Sequence, residues 1–386
     1  MDPSLYNAAI KSDINTFKQR REHLDLRLLL TPNKNTVLHI NITAQYGSSK
    51  SAEFVKEILV MCPPLLLQVN IRDETLLHIA ARYGDLSVVN LLIQTAKADG
   101  NKDLESGTES VRQMLRMLNK EKDTALHEAV RNNHLDVVKL LIKEHPDFSY
   151  HANHAGETPL YLAAERGYRD LVFEILRNCN SPAHSGPLGL TALHAAVLRK
   201  DEEMTREILV RDTEQRAQTK EADQHGWVPL HYAALYGDES IVKLLLEFDE
   251  SAAYLADKKE YKTALHIAAG LGHTGVMNEL LSRCSDCCEL VDIRERNALH
   301  FAVESKNPEA VELFLSDSIL SNLINQKDAQ GNTPLHLLAS SLSFIPSLIR
   351  HPKVDPMVFN NQNRSALDIA LANDMVSEVK VSPSNL

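Results

Sequence analysis

Positive charge is scarce in this chain of 386 residues: 41 Lys and Arg stand against 52 Asp and Glu, a formal net charge of −11. A chain of that sign repels polyanions, so nucleic acid is not an expected partner. Aromatic residues make up 5% of the chain, with a single Trp, so the core has to be filled by Leu, Ala, Ile and Val. The five cysteines, Cys62, Cys179, Cys284, Cys287 and Cys288, are odd in number and sparse. That excludes a disulfide framework and points to reducing surroundings, here the cytoplasm. Long apolar runs are missing too. The longest, Ile58 to Leu67, is broken by Pro63 and Pro64 and is about half the length that a membrane helix needs. Met1-Asp2-Pro3-Ser4 has neither the basic nor the apolar segment of a secretory signal, so the sequons at Asn41 and Asn363 are expected to stay unmodified. Phosphate-loop, G-x-S-x-G and H-E-x-x-H motifs are absent. No catalysis, no cofactor, no small-molecule substrate and no direct membrane insertion are expected.

What the chain does have is repetition. Thr263-Ala264-Leu265-His266-Ile267-Ala268-Ala269 recurs as Thr75-Leu76-Leu77-His78-Ile79-Ala80-Ala81, as Thr124-Ala125-Leu126-His127-Glu128-Ala129, and as Thr333-Pro334-Leu335-His336. The spacing is regular: 34 residues from Thr124 to Thr158, 33 to Thr191, 37 to Val228 in the Thr slot, 35 to Thr263, 34 to Asn297 and 36 to Thr333. Each copy carries the signals of a helix pair. A Thr hydroxyl caps the first N–H groups. Pro159, Pro229 and Pro334 sit just inside the start, where a missing N–H costs nothing. Gly84, Gly167, Gly237 and Gly272 follow the short helix, where a left-handed residue is needed. A second apolar helix then begins, as in Ile241-Val242-Lys243-Leu244-Leu245-Leu246. One such pair cannot bury its own apolar face, so neighbours must stack.

A period near 33 headed by T-P-L-H-x-A resembles the ankyrin repeat. The fold expected is all-α, a solenoid of ten or eleven helix–turn–helix repeats over residues 1–374. Its first repeat, 3–34, is degenerate and its last, 362–374, is a cap with Asp368 in place of the motif His. Residues 375–386 are expected to be disordered. The rhythm breaks once: 49 residues separate Thr75 from Thr124, and the excess falls at 95–123. Its polar first part, Asp99 to Gly107, is expected to be a mobile loop. Val111, Met114, Leu115 and Leu118 have the spacing of one helix face.

Three patterns imitate chemistry. Gly270 to Gly275 reads G-x-G-x-x-G, but a helix stands before it where a dinucleotide site needs a strand. The histidines His39, His78, His127, His194, His231, His266, His300 and His336 recur once per period, so they are spread along the chain rather than gathered on one ion. They are expected to bond the Thr side of their own repeat (Thr75, Thr124, Thr158, Thr191, Thr263, Thr333) and the turn of the next. Cys284-Ser285-Asp286-Cys287-Cys288 is half a zinc site at most. A metal or redox protein centred there is the alternative from another class.

The resemblance implies a protein-binding function. Partners of ankyrin repeats are met by the hairpin tips and the end of the inner helix. Here those positions hold Arg82, Tyr83, Arg131, Glu165, Arg166, Leu235 and Tyr236, with Trp227 just before the Thr slot. Tyr, Trp and Arg are the residue types that dominate binding hot spots. Two longer stretches, Asn119 to Arg131 and Asn153 to Gly167, are similar to the plant ankyrin–membrane proteins of the accelerated-cell-death type. That similarity implies a role in plant defence or cell-death signalling at the cytoplasmic face of the plasma membrane, with membrane ankyrin proteins or receptor complexes as partners. Members of that group carry a C-terminal membrane domain opened by Pro-Gly-Gly. This chain reaches Leu386 without either, as a soluble form, a truncated product or a fragment would.

Overall fold

The computed structural model describes residues 1–20, 24–99, 104–211, 217–316, 320–341 and 343–372. The expected tail, 375–386, lies outside them. Helix follows helix, with no strand among the described residues. The chain divides into two compact units, Met1–Ala195 and Ala196–Leu386, and the boundary falls inside helix Ala192–Leu198.

In the first unit, short inner helices alternate with outer ones: Pro3–Ile10 with Ile14–Gln19, Val37–Gln45 with Ser49–Met61, Leu76–Tyr83 with Leu86–Asp99, Ala125–Arg131 with Leu135–Glu144, and Pro159–Glu165 with Arg169–Asn178. Inner helices pack on inner helices and outer on outer. The inner contacts are made by small residues: Ala80, Ala81, Ala129, Ala163 and Ala164 are completely buried. Ala lets two backbones approach closely at little cost in side-chain entropy. Leu92, Ile93, Val138 and Leu141 fill the space between inner and outer layers.

The insertion adds one helix, Leu104–Arg116, packed on Leu86–Asp99 and Leu135–Glu144. Two expectations change here. Helix begins at Leu104, so Leu104 to Gly107 are not loop. The reason is packing: a Cβ on Gly107 would lie 2.7 Å from the Lys97 carbonyl oxygen, so glycine is what allows the two helices to touch. Val111, Met114 and Leu115 are buried as expected, whereas Leu118 falls beyond the helix end and is exposed. Residues 100–103 lie outside the described residues.

The second unit repeats the scheme with Pro229–Leu235 and Glu239–Phe248, Ala264–Leu271 and Thr274–Arg283, Ala298–Glu304 and Pro308–Ser316, Pro334–Ser340 and Pro346–Ile349, and a last inner helix, Ala366–Ala372. The inner helices again meet through fully buried alanines, Ala234, Ala268, Ala269 and Ala302. No helix among the described residues is long and apolar enough to cross a membrane.

Candidate protein-interaction surface

The repeat is held by a hydrogen-bond staple. At Thr124 the hydroxyl oxygen accepts from the His127 backbone N–H at 3.4 Å and lies 2.9 Å from Nδ1 of the ring, while the Thr124 N–H donates to the same Nδ1 at 3.1 Å. Nε2 lies 3.2 Å from the carbonyl oxygen of Glu157 in the next repeat. A carbonyl only accepts, so the network assigns the proton to Nε2 and makes Nδ1 the acceptor. The same arrangement joins Thr75, His78 and Asp123, and Thr263, His266 and Arg296. It recurs for Thr333, His336 and Arg364 and for Thr36, His39 and Glu74; at Asn297 the amide oxygen accepts the His300 backbone N–H, the Asn297 N–H donates to Nδ1, and Nε2 reaches the Asn332 carbonyl. His231 reaches the Lys262 carbonyl although Val228 offers it no hydroxyl, and Thr191 bonds His194. Burial lowers the ring pKa of His127 and His266 to about 4 and lowers those of His39, His78, His231 and His300. In the fourth inner helix of this type Tyr161 replaces the His. Thr158 there turns its hydroxyl to the Ser185 carbonyl instead, at 2.8 Å.

A second device was not read from the sequence. Five residues ahead of the Thr slot stands an Asn or Asp: Asn70, Asn119, Asn153, Asp223, Asp292, Asp328 and Asn360. Its side-chain oxygen accepts N–H groups two and four residues on, as at Asp292 with Arg294 (2.9 Å) and Arg296 (2.8 Å). These Asx turns build the hairpin tips. Backbone bonds then tie successive tips: Ile71 donates to Asn33, Lys120 to Arg72 and His154 to Glu121 in the first unit, and Lys258 to His225, Ile293 to Glu260 and Ala329 to Arg294 in the second. The signal was available, since the Asn or Asp keeps the period of the Thr.

The residues expected to meet a partner have different surroundings. Arg82 is half-buried and bridges Glu74 and Glu128, its Nε donating to Glu128 at 2.9 Å. Arg131 donates twice to Asp123 at 2.9 Å. These two guanidinium groups hold carboxylates that are themselves buried, and they hold Asp123 and Glu74 below the ordinary carboxylate range against the effect of burial. Tyr83 stacks on Tyr46 at 4.9 Å. Glu165 and Arg166 are exposed in the first unit. Tyr236 is exposed in the second, with the Lys200 ammonium 5.3 Å from its ring.

Trp227 and Leu235 come together. They line a groove of about 370 Å³ with Ile267, Gly270, Leu271 and Phe301 as its apolar surface and Asp257, Glu260, Lys262, Arg296 and Glu304 among its polar lining. Trp227 is half-buried rather than at the outermost tip, packed on Tyr232 (5.0 Å) and His231 (5.7 Å). Two cations hold the Phe301 ring: the Arg296 guanidinium lies 4.3 Å and the Lys262 ammonium 5.3 Å from it. Arg296 is itself held by Asp292 at 2.8 Å and Glu304 at 2.9 Å. Leu271, half exposed, opens the groove to solvent. Such a surface can take up an apolar side chain between rigid aromatic walls and bond the adjoining backbone through its charged rim. A further groove of about 520 Å³ lies between the first two repeats, lined by Met1, Tyr6, Ile10, His39 and Ile40 among others. It lacks the paired charges and the Trp.

The patterns that imitate chemistry are part of the scaffold. Gly272 is a left-handed helix cap (φ 72°) between two helices, and Gly270 and Gly275 lie within them. Cys284, Cys287 and Cys288 are buried, burial pushes the thiols of Cys284 and Cys287 up, and the Cys284 thiol faces the Glu250 carbonyl.

Profiles of ankyrin repeats match residues 104–183, 160–257 and 248–323, and a profile of the single ankyrin repeat matches 72–103. Among curated proteins, the Nuclear factor NF-kappa-B p105 subunit of Gallus gallus is 25% identical over 53% of this chain and 21% of its own length. Inversin of Homo sapiens is 28% identical over 47% of this chain and 17% of its own length. The B-cell lymphoma 3 protein homolog of Mus musculus is 29% identical over 50% of this chain and 42% of its own. The chain thus spans about a fifth of the length of the first two. Among solved structures, the ankyrin repeat domain of Bcl-3 is similar at a TM-score of 0.47 and 23% identity, over 56% of this chain and 94% of that one.

Proposed function

The chain belongs to the ankyrin-repeat family, and we propose from that premise that it is a non-catalytic protein-interaction scaffold whose principal contact is the groove at Trp227, Leu235, Leu271 and Phe301. The observation that carries this reading is the groove itself. Its aromatic wall is fixed in place by Arg296 and Lys262, so little freedom is lost when a partner side chain enters, and preorganisation of that kind favours affinity. The finer setting is part of the same proposal: plant defence or cell-death signalling, at the cytoplasmic face of the plasma membrane, with membrane ankyrin proteins or receptor complexes as partners. Its support is the similarity of 119–131 and 153–167 to the accelerated-cell-death group. The test is affinity capture from plant extract with the natural chain beside a Leu271→Glu variant, read by mass spectrometry. Proteins retained by the natural chain alone identify the partner of the groove. Equal recovery by both chains would show that the contact lies elsewhere.

A further inference from the structure

Two consecutive tips of the second unit stand over the groove, and their chemistry differs from that of the chain as a whole. Residues 258–262 and 293–296 hold five cations, Lys258, Lys259, Lys262, Arg294 and Arg296, against two anions, Glu260 and Glu295, in a chain of net charge −11. Lys262 is paired with Glu260, and Arg296 with Asp292 and Glu304. Lys258, Lys259 and Arg294 are exposed, and among the described residues none is within ion-pair distance of a carboxylate, Lys259 acting on Glu260 only at longer range. The two tips are fixed relative to each other by the Ile293 N–H on the Glu260 carbonyl, 2.8 Å. Each also shows an apolar side chain to solvent: Tyr261 is 54% and Ile293 57% exposed.

Tyr261 adds a second, independent observation. It has φ +56°, a left-handed conformation that is unfavourable for a bulky residue. The equivalent tip position two residues before the Thr slot is Gly226 in the preceding repeat and Glu295 in the following one, both at positive φ. Tyr261 belongs to the one copy that puts a large aromatic ring at this tip position, half exposed beside the exposed cations.

We propose that this surface binds an acidic peptide segment of a partner protein, with one large apolar side chain in the groove and its carboxylates on Lys258, Lys259 and Arg294. This rests on the groove reading above and names the chemistry of the occupant. The cations lie at the rim in water, so they act mainly by steering and selecting the partner, while the groove supplies the anchor.

The test uses the full chain and its own reporter, since Trp227 is the only Trp and lines the groove. A random peptide library is selected on the immobilised chain, and enriched peptides are titrated against it by Trp227 emission and by anisotropy of a labelled peptide. Enriched peptides should carry an excess of Asp and Glu around a Phe, Leu or Trp. Replacing Lys258, Lys259 and Arg294 by Ala together should weaken them roughly tenfold at low salt and flatten the salt dependence. Leu271→Glu should abolish binding. If the triple variant binds as the natural chain does while Leu271→Glu does not bind, the groove stands and the acidic partner is refuted. If neither variant changes binding, the groove reading fails as well. Single-stranded DNA and phosphatidylserine vesicles serve as probes of another kind: binding of either that survives Leu271→Glu would make the tips a general polyanion surface and overturn the proposal.

Discussion

Mild acid should unfold this chain before its carboxylates titrate, and the motif histidines set the magnitude. In His127 and His266 burial is the main reason the ring resists a proton, and it brings the pKa from 6.5 to about 4. The staple adds to this. A proton on Nδ1 would face the Thr N–H and the Thr hydroxyl, two groups that donate to that nitrogen in the neutral state. Between the two pKa values the unfolded chain holds the extra proton and the folded one does not. Stability therefore rises with pH across this window and is lost as the pH falls through it. Each of the two residues should remove about 2 kcal/mol between pH 7 and pH 5, and about 3 kcal/mol by pH 4. His39, His78, His231 and His300 shift in the same direction. Asp123, Asp292 and Asp249 are held below the ordinary carboxylate range. Their contribution is lost only at lower pH, as they protonate below about 4, so the two windows separate. Urea unfolding followed by far-ultraviolet circular dichroism over this range measures the loss, and long-range proton–nitrogen NMR reads the tautomer. An unfolding free energy unchanged between pH 7 and pH 5, or motif rings that titrate near their ordinary value, would refute the reasoning.

Four substitutions test other links. Val228→Thr supplies the missing cap hydroxyl where the His231 ring is already in place, and should raise unfolding stability by about 1 kcal/mol; a loss would show that the slot needs an apolar side chain. Gly84→Ala puts a Cβ 2.4 Å from the His134 ring at φ +68° and displaces the imidazole from the Arg82 carbonyl, so it should cost more than the roughly 1 kcal/mol of the left-handed conformation alone. Arg131→Ala leaves the buried Asp123 without its cation and should cost about 3 kcal/mol in urea unfolding; a cost near zero would mean that Asn153 alone satisfies the carboxylate. Tyr261→Gly removes strain and should raise stability by up to about 1 kcal/mol while weakening the selected acidic peptides. A gain in stability with unchanged binding would remove Tyr261 from the contact.

How much could be read from the chain depends on the range of the interaction concerned. Thr caps, the glycine caps and the apolar faces act within a few residues, and repetition multiplies each signal, so the architecture was legible at Thr124, Thr158 and Thr263 alike. The fate of Arg82 was not, because its main partner Glu128 is 46 residues away and stands where sister repeats have Ile79 and Ile267. Leu118 kept the spacing of the Val111–Leu115 face, yet the helix stops at Arg116, before it. The Asn and Asp of the tips keep the period of the Thr, but polar residues in a turn are interchangeable by type, and their role rests on side-chain bonds that the sequence does not display.

The groove was partly legible for the same reason. Trp227 and Leu235 belong to one repeat and could be placed by its period, whereas Ile267, Leu271 and Phe301 are contributed by the next two repeats. Stacking converts positions about one period apart in sequence into neighbours on one surface, so a binding site in this fold is a column of equivalent positions. That changes how variation between repeats should be weighed. A position that must cap or pack keeps the same residue in most copies, as Thr, His and Ala do here, with Val228, Asn297 and Tyr161 among the departures. The tip position two residues before the Thr slot is Gly156, Gly189, Gly226 and Gly331 in four copies but Lys34, Asp73, Lys122, Tyr261, Glu295 and Asn363 in six, all at positive φ. Folding alone favours glycine at each of these positions. Of the copies that give up that advantage, only one does so with a large aromatic ring, Tyr261, and its tip is one of the two that carry Lys258, Lys259 and Arg294 above the groove, so an exposed ring, exposed cations and the apolar cleft coincide on one short column of the surface.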